Sequence, residues 1–274
     1  MEDAMPRIQI NGTTIHYESQ GEGQPIIMVP FLTADHACFA FQLPAYAAHF
    51  SCYAVDLRGS GQSGRGDGEC TMPQFVDDIA AFIDSIDADK VHIMGYSLGG
   101  AVAMSFAGTY PDKVLSLSLH STWPRSDPYL QAVVKSWQVV ATALEDVCET
   151  AISAIFPWCF TPERYASDPA FIASIIDFTR GRPAQGVADF LDHSTAVIQH
   201  DALDILTHVQ APTQITFGQQ DVITSTRFVG PMVGAIPHAE VELFENCSHA
   251  PFLEDAADFN ARTLAFLNRH STAH

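Results

Sequence analysis

Residues 95–100 (GYSLGG) place a serine hydroxyl, that of Ser97, where it could act as a nucleophile. They follow the apolar run 91–94 and precede a stretch with helical periodicity, so we predict that Ser97 lies on a tight turn between a strand and a helix. Such a turn needs glycine two positions before and after the serine, because a Cβ there would collide with neighbouring backbone. The spacing therefore predicts a serine nucleophile for acyl transfer.

Two further residues, His249 and Asp221, have the types and positions needed to activate this serine. His249 follows a predicted strand in the segment NCSHAP, and Asp221 follows another strand directly after FGQQ. The carboxyl ends of parallel strands lie at one edge of a sheet, so the histidine could reach Ser97 as a base while the aspartate orients its imidazole. The order serine, aspartate, histidine agrees with this arrangement. The alternative position for the acid, residues 119–122 (LHST), contains no carboxylate.

The other acidic residues are predicted to have structural or surface roles. Asp56 begins the segment 56–63 (DLRGSGQS), and we expect it to be buried and bonded to loop backbone. Three pairs are predicted to lie on solvated helix faces or in first helical turns: Asp77 and Asp78, Glu145 and Asp146, and Glu254 and Asp255. No carboxylate pair has a claim to be a glycosidase dyad and no His, Asp and Glu cluster has metal-ligand spacing, so neither a metal nor a cofactor is predicted.

The elements that would position these residues alternate between short apolar runs and helix-length segments. Strands are predicted at 7–10, 13–18, 26–29, 51–55, 91–94, 114–119, 213–217 and 240–244. Helices are predicted near 37–49, 72–86, 99–110, 203–209, 225–235 and 256–270. The pattern indicates an α/β fold with a mostly parallel, eight-stranded sheet flanked by helices. Strand signals vanish from about 122 to 200, which predicts a helical cap inserted after the sixth strand, over a core domain formed by 1–121 and 201–274.

The composition narrows the range of partners and compartments. Thirteen Lys and Arg against 32 Asp and Glu give a formal net charge of −19, which disfavours nucleic acid and favours neutral or mostly apolar substrates. Six cysteines lack disulfide or zinc spacing and are expected to be reduced thiols. The first residues contain no secretory signal and no segment approaches 18 apolar residues in a row, so we expect a cytoplasmic protein that does not span a membrane.

Four stretches together match a known family: residues 56–63, 95–100, 211–221 and 248–252. On these stretches the chain resembles the α/β-hydrolase superfamily over essentially its whole length. Within it, the chain resembles small bacterial esterases and lactonases, including the 3-oxoadipate enol-lactonase and N-acyl-homoserine lactonase types. The resemblance implies a small-molecule ester or lactone substrate, no cofactor, and a monomer or homodimer.

Aromatic residues of the cap and of the loops beside Ser97 are predicted to contact the substrate, since a cap over an active site commonly builds specificity. The residues predicted for this role are Phe31, Tyr96, Trp123 and Trp158. The aromatic and apolar character of the cap favours an acyl chain or an aromatic group over a strongly charged substrate.

One departure from the family concerns the loop after the third strand, where Pro30-Phe31 replaces the usual His-Gly. This loop ordinarily supplies one of two backbone N–H groups that stabilise the oxyanion, each worth on the order of 3 kcal/mol. Proline has no N–H, so we assign that role by position to Leu32, with Leu98 as the second donor. The bulk of Phe31 could narrow the acyl pocket or shift the loop, and the sequence leaves both open.

Three hypotheses follow from the sequence. The first is hydrolysis of an ester or lactone through an acyl-enzyme on Ser97. The second is carbon–carbon bond hydrolysis of the meta-cleavage-product type, whose substrates carry a carboxylate and would need a nearby arginine; the candidates are Arg58, Arg125 and Arg180. The third is a ligand-binding protein that retains the triad without turnover.

Overall fold

The computed structural model describes residues 6–271 and contains an eight-stranded sheet in the order β1-β2-β4-β3-β5-β6-β7-β8. Its strands are β1 (Arg7–Ile10), β2 (Thr13–Gln20), β3 (Pro25–Val29), β4 (Ser51–Val55), β5 (Val91–Tyr96), β6 (Val114–His120), β7 (Thr213–Gly218) and β8 (Glu240–Phe244). β2 pairs antiparallel with β1 and β4, and all other pairs are parallel. The predicted mostly parallel sheet is confirmed.

Helices cover the sheet and form the segment between β6 and β7. They are α1 (Leu43–Tyr46), α2 (Met72–Ser85), α3 (Leu98–Thr109), α4 (Pro128–Leu144), α5 (Val147–Thr150), α6 (Phe156–Cys159), α7 (Pro162–Ser167), α8 (Pro169–Arg180), α9 (Val187–Gln199), α10 (Leu203–Leu206), α11 (Val229–Ala235), α12 (Pro251–Glu254) and α13 (Ala256–Arg269). A π-helix, Ala151–Ile155, joins α5 to α6. The helical insertion after the sixth strand is confirmed, while its division from the core at 122 and 200 stays a prediction.

One predicted helix differs in the structure. The segment 37–49 forms a 3₁₀ turn (His36–Phe39) and the separate short helix α1 instead of one continuous helix. Pro44 lies in the first turn of α1, where its missing N–H costs nothing, but in the interior of a longer helix it would remove a hydrogen bond. The chain therefore breaks before this proline.

The central strands and α3 are buried in the core of the protein. Every residue of β5 and β7 is buried, and so is α3 from Leu98 to Gly108. Parallel strands covered on both faces give the continuous apolar runs from which they were predicted. The carboxyl ends of β3, β5, β7 and β8 consequently meet at one edge of the sheet. Among the helices that the structure describes, none has the length and apolarity to cross a membrane.

Candidate active site

Ser97 occupies a strained turn between β5 and α3. Its backbone has φ 51° and ψ −114°, a conformation that costs a residue with a side chain on the order of 1–3 kcal/mol. Its N–H donates to the carbonyl of His120 at 2.9 Å, and its own carbonyl accepts from Thr122 Oγ1 at 2.9 Å. His120 ends β6 and Thr122 lies two residues beyond it, so the neighbouring strand and its following loop hold the turn in place.

The glycines around Ser97 are required by close backbone approaches. A Cβ on Gly95 would lie 2.2 Å from the backbone of Gly99, and a Cβ on Gly99 would lie 2.0 Å from the carbonyl oxygen of Val29. Backbone atoms cannot move aside as a flexible side chain can. The turn thus packs directly against the end of β3, which leads into the loop that carries Leu32.

We expect Gly99→Ala to lower the free energy of unfolding by about 3 kcal/mol or more, because the added methyl would overlap the backbone of Val29. Gly234→Ala is a matched control: Gly234 lies in α11, and a methyl group added there would have no atom within 4 Å apart from its chain neighbours and the backbone of its own helix. Alanine should therefore raise stability by about 0.5 kcal/mol. Urea unfolding of both variants checks this. Equal stability of the two variants would contradict the close approach.

His249 and Asp221 form a buried hydrogen-bonded pair. Asp221 follows β7 and His249 lies in the loop after β8, with His249 Nδ1 2.9 Å from Asp221 Oδ2. Asp221 also accepts hydrogen bonds from the backbone of Ile223 and from the backbone and hydroxyl of Thr224. Burial alone would raise the pKa of Asp221, but the adjacent His249 and these donors outweigh it and lower the pKa. An ionised carboxylate at Nδ1 leaves Nε2 of the imidazole free to accept a proton.

The loops that carry this pair are brought together by a second glycine contact. A Cβ on Gly218, the last residue of β7, would lie 1.9 Å from the carbonyl oxygen of Ser248. Gln220 N donates to the Cys247 carbonyl at 3.0 Å across the same junction. The separation between the acid and the base is therefore fixed by backbone packing as well as by their own hydrogen bond.

Leu32 and Leu98, the predicted oxyanion donors, lie on the two segments beside Ser97. Leu98 is the first residue of α3, a position whose N–H has no acceptor within the helix. Leu32 lies inside a turn closed by the hydrogen bond from Ala34 N to Phe31 O at 3.1 Å, with Thr33 at φ 71°. Both assignments stay predictions.

Two cavities adjoin at Ser97. The larger is about 350 Å³ and the smaller about 50 Å³. The residues that line both are Phe31, Thr33, Ser97, Phe156, Cys159 and His249. The serine and the histidine thus line both cavities.

The four residues predicted to contact the substrate differ in whether they line the cavities next to Ser97. Phe31 lines both cavities, Tyr96 lines the larger, and Trp123 lines the smaller. Trp158 lines neither cavity and is 40% exposed. Of the four, Trp158 is thus the residue that lies outside the walls of the space next to Ser97.

Glu254, predicted on a solvated helix face or in a first helical turn, lies in the first turn of α12 but is buried. Its carboxylate accepts from the backbone of Ser248 at 2.6 Å and from the backbone of Thr161 at 2.8 Å. Burial raises its pKa, although these donors and Arg164 act in the opposite direction. Glu254 therefore ties the loop of His249 to the helical insertion. Only its spatial neighbours reveal this role, and no local pattern of residues signals it.

The prediction of a solvated helix face or a first-turn position is wrong for Asp78, which is buried in the middle of α2 and accepts two hydrogen bonds of 2.6 Å from Arg58. That pair removes Arg58 from the candidate substrate-binding arginines. Arg125 and Arg180 are exposed, and pair with Asp201 and Glu149 respectively. None of these three arginines lines either cavity, whereas Arg182 lines the larger one.

Among the residues that the structure describes, His16, His36 and Asp56 form a buried group whose possible ligand atoms lie within 4.8 Å of one another. Both histidines already hydrogen-bond to the carboxylate of Asp56 through Nδ1, at 3.0 and 2.8 Å. Asp56 also accepts from the backbone of His36 and Gln62. These bonds match the predicted buried aspartate, and they join the loops after β3 and β4.

Comparison with known proteins gives a family and a set of relatives. Residues 24–256 match the family model described as the alpha/beta hydrolase fold. The chain is 29% identical to a pimeloyl-[acyl-carrier protein] methyl ester esterase of Chromobacterium violaceum, over 90% of this chain and 95% of that protein. It is 27% identical to the dihydrolipoyllysine-residue acetyltransferase component of the acetoin cleaving system of Pseudomonas putida, over 97% and 70%. The enol-lactonase of Burkholderia xenovorans LB400 superposes with a TM-score of 0.86 at 23% identity, covering 96% of this chain and all of that one.

Proposed function

This chain belongs to the α/β-hydrolase fold family, and from that premise we propose that it is a serine hydrolase that cleaves a small carboxylic ester or lactone. The observation that carries the proposal is the placement of Ser97 and His249 in the wall of the same two cavities, with Asp221 bonded to the histidine. The esterase and lactonase named among the similar proteins support this class of substrate.

In the proposed reaction, His249 Nε2 takes the proton of Ser97 Oγ as that oxygen attacks the carbonyl carbon. The carbonyl oxygen becomes an oxyanion that accepts hydrogen bonds from the N–H groups of Leu32 and Leu98. When the intermediate collapses, the bond to the alcohol oxygen breaks and that oxygen takes the proton from His249. A water then attacks the acyl-enzyme with His249 as base, which releases the acid and restores the serine.

The environment of the cavities favours an apolar acyl or aromatic group. Aromatic and aliphatic side chains from the insertion line the larger cavity, among them Phe156, Phe160, Ile175 and Phe178. Burial raises the pKa of the Cys159 thiol, so this cysteine stays neutral and adds no charge. A strongly charged substrate would lose hydration in this space with few compensating contacts.

Covalent labelling tests the proposal without knowledge of the natural substrate. We expect a fluorophosphonate ester to add its phosphonyl group to the peptide that contains Ser97, detected by mass spectrometry, and to abolish turnover of short nitrophenyl esters. Acyl-homoserine lactones and a ring-fission dienoate are assayed in parallel. Comparing their turnover with that of the esters distinguishes ester and lactone cleavage from carbon–carbon bond hydrolysis. Absence of labelling and of ester or lactone turnover by the wild type would refute the serine hydrolase.

A further inference from the structure

The wall of the larger cavity contains an ion pair between the insertion and the core. Arg182, just beyond the end of α8, donates from Nε and Nη2 to Oδ2 of Asp35 at 3.0 and 2.7 Å. Both residues line the cavity. The Arg182 side chain is 29% exposed and that of Asp35 is 7% exposed, so the guanidinium is accessible to a bound molecule. Most of the surrounding wall is apolar, so this charged pair is a feature that a substrate must either hydrogen-bond or avoid.

The order of the strands places this pair away from the nucleophile. Asp35 follows β3 in the sequence, but its side chain packs against the loop after β4. A Cβ added to Gly61 in that loop would lie 2.6 Å from Asp35 Cβ. β4 is two positions from β5 in the sheet, and two strand spacings amount to about 10 Å, which sets the scale for the separation between the pair and Ser97. An extended chain advances about 1.2 Å per bond, so about eight bonds cover this distance.

The hydrogen bonds of the pair determine which chemical group fits. Arg182 Nη2 also lies 3.4 Å from His36 Nε2, whereas Nη1 makes no hydrogen bond to any residue in the range 6–271, so its two N–H groups remain as donors. Asp35 Oδ1 accepts from Ala37 N at 2.9 Å and retains a second lone pair. The pair therefore offers a donor and an acceptor with no net charge. A substrate carboxylate would be repelled by the Asp35 carboxylate, which is fixed at the start of the 3₁₀ turn. A terminal methyl group would remove water from Nη1 without accepting a hydrogen bond in its place.

We propose that the Arg182–Asp35 pair is a binding site for an uncharged polar group, a hydroxyl or an amide, at the far end of the substrate's acyl chain. Such a group accepts from Arg182 Nη1 and donates to Asp35. This inference rests on the proposed ester hydrolysis at Ser97 and specifies its substrate: an ester or lactone whose acyl chain has an apolar middle and a neutral hydrogen-bonding end.

Three methyl esters of matched length test the inference: nonanoate, ω-hydroxyoctanoate and the monoester of suberate. Acid release followed in a pH-stat gives kcat/KM for each ester. The wild type should prefer the hydroxyl ester to the methyl-terminated one, and should turn over the carboxylate ester most slowly. In Arg182→Met, which keeps the length of the side chain, the hydroxyl-to-methyl ratio should fall about tenfold. In Asp35→Asn, the carboxylate ester should gain about tenfold relative to the hydroxyl ester.

Arg180→Met is the matched control, because Arg180 lies two residues earlier, pairs with Glu149 and does not line the cavity; the wild-type ratios should persist in it. A wild type that prefers the carboxylate ester, or a hydroxyl-to-methyl ratio that survives Arg182→Met, would overturn the inference. Methyl acetate, too short to reach the pair, reports the chemistry at Ser97 alone. Its turnover therefore distinguishes failure of this inference from failure of the proposed hydrolysis.

Discussion

Ser97→Ala should reduce kcat for ester hydrolysis on the order of 10⁶-fold, while the protein remains folded. Without Oγ no acyl-enzyme forms, and only the slow attack of water assisted by the remaining groups is left. The backbone hydrogen bonds of the turn, to His120 and from Thr122, do not involve the hydroxyl and should persist. Steady-state kinetics with nitrophenyl acetate and urea unfolding measure the two effects.

The strained backbone of Ser97 supplies a second readout. Glycine tolerates φ 51° and ψ −114° without a Cβ penalty, so Ser97→Gly should be as inactive as Ser97→Ala but more stable by about 1 kcal/mol. Ser153→Ala is the control, since Ser153 is exposed on the insertion and lines neither cavity. An alanine variant of Ser97 that retained a tenth of wild-type activity would rule out nucleophilic catalysis by this serine.

The sheet and the positions of the three candidate catalytic residues were predictable because each depends on local pattern. Buried parallel strands give continuous apolar runs, and the edge where their carboxyl ends meet follows from the alternation of strands and helices. Ser97, Asp221 and His249 each closely follow such a run. The glycines at 95 and 99 could be assigned to close approaches before the atoms they approach were known.

The contacts of the charged side chains were not predictable, because they depend on which distant segments meet. Arg182 reaches Asp35 across 147 positions of the chain, and Glu254 meets Thr161 across 93. Arg180 and Arg182 are separated by a single residue, yet only the second lines the cavity. Similarly, Phe156 and Trp158 both belong to the four-residue helix α6, but one is buried and the other is exposed. No local periodicity distinguishes the members of these two pairs.

Asp221→Asn should lower kcat about 10⁴-fold and should destabilise the protein in a pH-dependent way. The carboxylate accepts from the backbone of Ile223, from the backbone and hydroxyl of Thr224, and from His249 Nδ1. An amide replaces one of these acceptor oxygens with a donor, so either the imidazole takes the wrong tautomer or the Thr224 contacts are lost.

The pH dependence follows from the lowered pKa of Asp221, which burial opposes and His249 with the surrounding donors produces. The folded protein holds this proton less tightly than the unfolded chain does, so the ionised carboxylate stabilises the fold above the ordinary pKa of 3.8. That contribution is lost as the pH falls through 3.8 towards the lower folded-state value.

Urea unfolding should therefore show a large stability difference between wild type and Asp221→Asn at neutral pH that shrinks in acid. Asp204→Asn, at an exposed position in α10, should show a small difference throughout. A difference for Asp221→Asn that stays constant well below pH 3.8 would mean that Asp221 contributes to the fold through packing and neutral hydrogen bonds. It would then not act as the anion that orients His249.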